Sequence, residues 1–195
     1  PPNKVEVYLG AATEAPTAMQ SQQDNANTMS TVRSALRSLG IADKDMETSS
    51  FRIFPVWNYK IQPYSIVGYK TTHTLKVTSL DTNQAGRIID AAVGTGANMI
   101  NSVGFGVTSP IQEQMKSQAL KEAALNAKAK AQTIADGLGV ALGKVTQASE
   151  QSSFTPVYRT FGVAEGAGAS AAAPTEISAG DIQVSASVTV VYEIS

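Results

Sequence analysis

Residues 109–139 read SPIQEQMKSQALKEAALNAKAKAQTIADGLG, a stretch whose spacing predicts one long helix. Pro110 suits the first helical turn, where a missing N–H leaves no bond unmade, and Ser109 before it offers a capping hydroxyl. Leu120, Ala124, Ala127, Ala131, Ile134 and Leu138 then recur at alternating steps of four and three, one face of a helix. Lys116, Lys121, Lys128 and Lys130 lie off that seam. Gly137 and Gly139 supply positions where the helix can reverse into a left-handed conformation, because glycine has no Cβ to clash there. Alanines at the centre of a contact face let another backbone come close, so the seam is expected to lie flat on a sheet.

Ahead of this helix the period of the apolar residues changes several times. Residues 4–10, KVEVYLG, alternate Val5, Val7 and Leu9 with polar neighbours, as in a half-buried strand. Capping residues and Pro16 follow. Ala26, Met29, Val32, Leu36 and Leu39 repeat at helical spacing up to Gly40, with Arg33 and Arg37 near the negative end of the helix dipole. Residues 43–59 read as a long strand with Phe51, Ile53, Pro55, Trp57 and Tyr59 on one parity, and the proline argues for an edge or a bulge. After a turn at Pro63, Val67, Tyr69, Thr71, His73, Leu75 and Val77 alternate with Gly68, Lys70, Thr72, Thr74, Lys76 and Thr78. One face is largely apolar and the other polar, which fits an antiparallel sheet covered on one side. Asp81 can cap a shorter helix carrying Ala85, Ile88, Ile89, Ala92 and Val93, ended by Gly94 and Gly96. Met99, Asn101, Val103, Phe105 and Val107 then share a strand parity.

The order so far is β-α-β-β-α-β, the split βαβ arrangement. It predicts an α+β fold, a four-stranded antiparallel sheet with both helices on one face, followed by the long helix and further strands. A short strand is expected near residues 144–149. The last strand places Ile182, Val184, Ala186, Val188, Val190, Tyr192 and Ile194 on one parity. Residues 151–180, with the run EGAGASAAAP, are too rich in Gly, Ala, Ser and Pro to build a core. They are expected to form a long, mobile surface loop inside a single domain of residues 1–195.

Composition narrows the class. With 43% apolar and 16% charged residues the chain is globular. Its 15 basic and 16 acidic residues leave a net charge of −1, so no clustered basic surface for nucleic acid is expected. Cysteine is absent, which excludes a disulfide framework and a thiolate metal site. No run approaches the roughly 18 to 20 apolar residues of a membrane-spanning helix. The chain opens Pro-Pro without methionine, so an upstream segment, including any signal peptide, is expected to have been removed.

Several local patterns now stand in a specific order. These are Leu39-Gly40-Ile41 leading to Thr48, the run with Pro55 and Tyr59, Ile66-Val67-Gly68-Tyr69, and Gly96-Ala97-Asn98 with Val103 and Phe105. The Ala/Lys helix then runs into Gly137-Leu138-Gly139-Val140 and Leu142-Gly143-Lys144-Val145, and Gly180 leads through Val184-Ser185-Ala186-Ser187-Val188 to Tyr192. In this order the chain resembles the SIMPL domain family, a domain of unknown function found in secreted and periplasmic bacterial and archaeal proteins. The resemblance implies an envelope or extracellular protein associated with oxidative or other stress, of a kind that includes ring-like or channel-like oligomers. It also implies a further strand before Pro1. It carries no catalytic residues over to this chain.

The residues themselves support no catalytic, cofactor or metal assignment. His73 is the sole histidine, and no HExxH, CxxC or GxSxG pattern accompanies it. Its strand parity, beside Tyr69 and Leu75, makes it a satisfied, partly buried ring. Gly94-Thr95-Gly96 and Gly137-Leu138-Gly139 follow helices instead of opening them, so they read as C-terminal caps and not phosphate loops. Asp43, Asp45, Glu47 and Asp81 lack the ligand series of a calcium loop and suit turns and caps.

Trp57, Tyr59, Tyr64 and Tyr69 gather around one hairpin, and tyrosine and tryptophan supply large contact area at low entropic cost. They are the candidate interface. The expected function is that of a non-enzymatic envelope or extracellular protein acting as a homo-oligomer, without nucleic acid, membrane span or cofactor. The alternatives are a small-molecule-binding protein or enzyme using residues 151–180 as a lid, and a cytosolic adaptor domain. The small-molecule ligand, if one exists, is not identified by the sequence.

Overall fold

β1 (Lys4–Ala15) is an inner strand: it pairs antiparallel with β3 (Ser65–Ser79) on one side and with β4 (Met99–Gly106) on the other. β2 (Met46–Asn58) joins the far edge of β3, giving a four-stranded sheet in the order β2-β3-β1-β4. The computed structural model describes residues 1–60, 62–155 and 174–195. The chain divides into two compact units: Pro2–Gly106 with residues 174–179, and residues 107–155 with 180–195.

In the first unit the alternation expected from the sequence places Val5, Val7, Leu9 and Ala11 of β1 and Leu75 and Val77 of β3 on one face, all fully buried. Two helices, α1 (Ala18–Ser38) and α2 (Ala85–Gly94), cover that face and contribute Met29, Val32, Leu36, Ile88, Ile89 and Ala92 to the same core. The split βαβ arrangement is thus present. Thr17 caps α1, its hydroxyl accepting from the Gln20 N–H at 3.2 Å. Gly40 at φ 89° ends the turn that follows α1. Pro55 does lie in an edge strand, and β2 carries register shifts at 48/50 and 56/57.

One expected contact of α1 is corrected. Ala26 is exposed, whereas Ser21 and Asn25 are fully buried. The inward positions are 21, 25, 29, 32 and 36, and the first two are polar, so an apolar search starts the stripe a turn and a half late. The sheet supplies partners for the Ser21 hydroxyl and the Asn25 amide nitrogen. Ser21 Oγ bonds the Thr13 carbonyl at 3.0 Å and Thr71 Oγ1 at 2.8 Å, and Asn25 Nδ2 donates to the carbonyls of Ala11 and Thr71 at 2.9 and 3.3 Å.

Asn98 extends β4 by one side chain. Its Oδ1 accepts from the Ala12 N–H at 2.7 Å and its Nδ2 donates to the Ala12 carbonyl at 2.9 Å, copying a strand pair where the backbone has already turned away.

In the second unit, α3 (Ser109–Leu138) lies on a separate two-stranded sheet of β5 (Leu142–Thr155) and β6 (Gln183–Ile194). The described residues therefore form two sheets, where the sequence suggests helices on one. Thr108 takes the N-cap position and Ser109 is already helical. Gly139, at φ 72°, makes the expected left-handed cap. The α3 seam keeps Leu120, Ala127 and Ala131 of the expected face, all half-buried, but not Ala124, Ile134 or Leu138. Ala119, Ala123, Ala127 and Ala131 are half-buried and Ala135 is buried, while Ala124, Leu125, Ile134 and Leu138 are exposed. Alanine at every fourth position admits the β6 backbone closely, and a large side chain there would hold the two apart. On β6 the expected parity holds from Val184 to Tyr192: Val184, Ala186, Val188, Val190 and Tyr192 are less exposed than their neighbours, while Ile194 at the strand end is exposed.

The expected loop at 151–180 begins inside β5, which continues to Thr155, and residues 156–173 lie outside the described residues. Beyond them the chain is held. Thr175 donates from Oγ1 to Asp90 Oδ1 at 2.5 Å and from its N–H to Oδ2 at 3.2 Å, and Ile177 and Ala179 pack against the core of the first unit. The Thr175 carbonyl comes so close to Gly86 that a Cβ there would meet it.

Candidate functional site

Two surfaces of the first unit combine unusual chemistry with exposure. The first is the end of the β2–β3 hairpin. Since β2 and β3 run on past the end of β1, nothing in the sheet covers their tip. Trp57 is 41% exposed, Tyr59 68%, Tyr64 53% and Val67 57%, and the rings of Tyr59 and Tyr64 meet edge to face at 5.3 Å. Tyr69 stands apart from them. It is half-buried at the base of the hairpin, paired between Ala15 and Pro55. Of the four candidate interface residues, the fold gathers three at the tip and leaves the fourth nearer the sheet.

The second surface is a cleft of about 340 Å³ between one flank of α1 and the strands β2 and β3. Its lining includes Ala26, Met29, Arg33, Phe51 and His73, with Asn25 in the inner wall. Strand register brings Phe51 opposite His73, and the two rings pack edge to face at 5.4 Å. Thr48 Oγ1 lies 3.0 Å from His73 Nε2, so the histidine is satisfied as expected. Arg33 reaches across from α1 and gives one Nη2 hydrogen to the Met46 carbonyl at 3.2 Å. The Asn25 amide orientation is fixed, because turning it over would set Oδ1 against two carbonyl oxygens. Its buried Oδ1 is then left without a protein donor.

Burial of the His73 ring, and then the nearby Arg33 charge, push its pKa below the ordinary 6.5. The unfolded chain binds this proton more readily than the folded one. Stability should therefore fall as pH drops through 6.5 toward the lowered folded value and be insensitive to this group above 6.5. Thermal melts at about pH 7.5 and pH 5 are expected to show a smaller loss for His73→Gln than for the wild type. Equal losses would mean that the ring does not titrate differently in the two states.

The remaining polar motifs have structural roles. Asp81 Oδ1 accepts from the Asn83 N–H at 3.0 Å, Asp43 pairs with Arg37 at 2.8 Å, and Gly96 adopts φ 109° after α2. Among the described residues, no three His, Asp or Glu side chains converge as metal ligands. Among the same residues, no helix is long and apolar enough to cross a membrane. Sequence reasoning does not single out Thr48, Arg33 or Asn25 as site residues. The place of Thr48 in the family-like pattern is the one signal pointing to any of them.

The architecture is that of an α+β protein with two helices on one face of an antiparallel sheet and a helix-backed ribbon after it. Residues 1–192 match the family described as SIMPL, protein of unknown function (DUF541), and the match runs through both units. The chain belongs to the SIMPL family. It is 31% identical over 201 aligned positions to the 26 kDa periplasmic immunogenic protein of Brucella melitensis, covering 99% of this chain and 79% of that one. The Brucella abortus protein of the same name is similar to the same degree. The uncharacterized protein YggE of Escherichia coli K12 is 33% identical over 105 residues, 54% of this chain and 42% of its own length.

Proposed function

We propose that this chain is a non-enzymatic protein of the periplasm or cell envelope that acts by self-assembly through the β2–β3 hairpin. The location follows the periplasmic naming of the Brucella relatives. The stress association implied by the family resemblance would then be exercised by an assembled scaffold and not by turnover.

One observation carries the assembly reading: large apolar side chains cluster at the uncovered end of an edge strand. Trp57, Tyr59, Tyr64, Ile66 and Val67 are all at least two-fifths exposed. Aromatic side chains clustered in this way supply the anchors of protein interfaces, and an unpaired strand edge offers backbone bonds to a second copy. The same edge has Pro55 and register shifts, which restrict where another strand can pair.

Light scattering of the purified chain at micromolar concentration is expected to give a mass of several subunits. The double variant Trp57→Ser with Tyr59→Ser should shift that mass toward the single chain while the circular dichroism stays unchanged. A wild-type chain that is strictly monomeric, or a folded double variant with unaltered mass, would refute the reading.

A further inference from the structure

We propose that the cleft between α1 and the β2–β3 edge binds a small aromatic carboxylate, with Arg33 taking the acid group and Phe51 and Ala26 taking the ring.

The first reason is an unbalanced cation. α1 carries two arginines a turn apart. Arg37 is paired with Asp43 at 2.8 Å, but Arg33 has no carboxylate partner among the described residues. It is half-buried and spends one hydrogen on the Met46 carbonyl. The remaining donors of its planar fork match a carboxylate, which accepts two parallel N–H bonds.

The second reason is the wall opposite. Phe51 is 48% exposed although it points to the same face as the core residues of β3, because α1 covers β1 and β3 and leaves the β2 edge uncovered. Ala26 and the edge of Met29 form the apolar part of the facing side, with Gln22 and Ser30 beside them, and the volume of about 340 Å³ is at the small end of ligand sites. A strongly hydrated inorganic anion gains little from such walls, since losing its water costs more than one guanidinium returns. A monoanion with a flat apolar body satisfies both ends of the cleft.

His73 adds a second readout. α1 presents Arg33 to it, β1 presents Ala11, and β2 presents Thr48 and Phe51, so Arg33 is the charged group among these neighbours. A bound carboxylate offsets the arginine charge and so favours the protonated ring. By linkage, protonation favours the bound carboxylate, and affinity should rise as pH is lowered from about 8 to about 6.

The test uses the full chain and fluorine NMR of 4-fluorophenylacetate, with 4-fluorophenylacetamide as its neutral counterpart. Saturable line broadening is expected with the acid. Binding should be at least about tenfold weaker for the amide and for Arg33→Met, with Arg33→Lys intermediate. Phe51→Ala should weaken acid and amide alike, and His73→Gln should remove the pH dependence without abolishing binding. Circular dichroism identifies any variant that fails to fold, and the acid-to-amide ratio on the unaltered protein needs no variant. Equal affinity for acid and amide, binding retained by folded Arg33→Met, or no saturable binding at millimolar ligand would each overturn the proposal. None of these results depends on whether the chain assembles.

Discussion

The substitution Gly10→Val is expected to leave little folded protein, costing about 3 kcal/mol or more against a typical total of roughly 5–15 kcal/mol. Gly10 sits in the inner strand, opposite Thr74 of β3 and Met99 of β4, so neither neighbour can move aside without breaking a ladder. A Cβ placed there would fall onto the His73 carbonyl oxygen and lie 2.9 Å from the Thr74 Cα. Both obstacles are backbone, so no rotamer change relieves them. The β1–β3 pairing runs from Val5↔Ser79 to Ala15↔Tyr69 and supports the buried face on which α1 and α2 rest. Separating the strands at its middle loosens that face as a whole. Gly94 is the control. A Cβ at this helical position meets nothing within 4 Å, so Gly94→Ala should be neutral or stabilising by up to about 1 kcal/mol. Urea unfolding followed by circular dichroism separates the two cases, and a Gly10→Val midpoint close to wild type would show that β1 and β3 are not packed this closely.

The same contrast explains how much of this molecule can be read from its residues. Period-two alternation carries its own burial, so the inward faces of β3 and β6 follow directly from Thr71 to Val77 and from Val184 to Tyr192. Helix faces are less legible when the inward residues are polar or small. Ser21 and Asn25 look like solvent-facing positions until the sheet supplies their partners, and the α3 seam continues through alanine at 119, 123 and 135 where the larger Ile134 and Leu138 attract the eye. Pairing between distant strands has no local signature, which is why the β5–β6 sheet is not separable from the four-stranded one by pattern alone. The two candidate surfaces differ in the same way. Trp57, Tyr59 and Tyr64 are close in sequence and visible there as a cluster. Arg33, Thr48, Phe51 and His73 converge only through the register of β2 on β3 and the rotation of α1. From sequence alone, Arg33 is no more than a favourable charge at a helix end.

Asn25→Ala should be strongly damaging for a polar position on α1, with an expected loss of about 2–4 kcal/mol. The residue is fully buried, and its amide bonds the carbonyls of Ala11 on β1 and Thr71 on β3, so one side chain ties the helix to two adjacent strands. Alanine removes both donors and opens a space next to Ser21 and Thr71, whose hydroxyls are already bonded to one another at 2.8 Å. Asn25→Leu restores most of the volume without the donors, so its difference from Asn25→Ala measures packing, and the loss it still shows against wild type measures the missing hydrogen bonds. Asn25→Asp provides the sharper test, because it sets a carboxylate against two carbonyl oxygens in a buried site. Burial raises the pKa of such a group, the folded state then holds its proton more tightly than the unfolded chain, and stability must rise as pH falls. That slope is opposite in sign to the one expected from His73, and the two should be resolved by comparing Asn25→Asp with wild type between about pH 8 and pH 5. If Asn25→Ala unfolds within about 1 kcal/mol of wild type, the helix is held by Met29, Val32 and Leu36 alone and the polar tie is incidental.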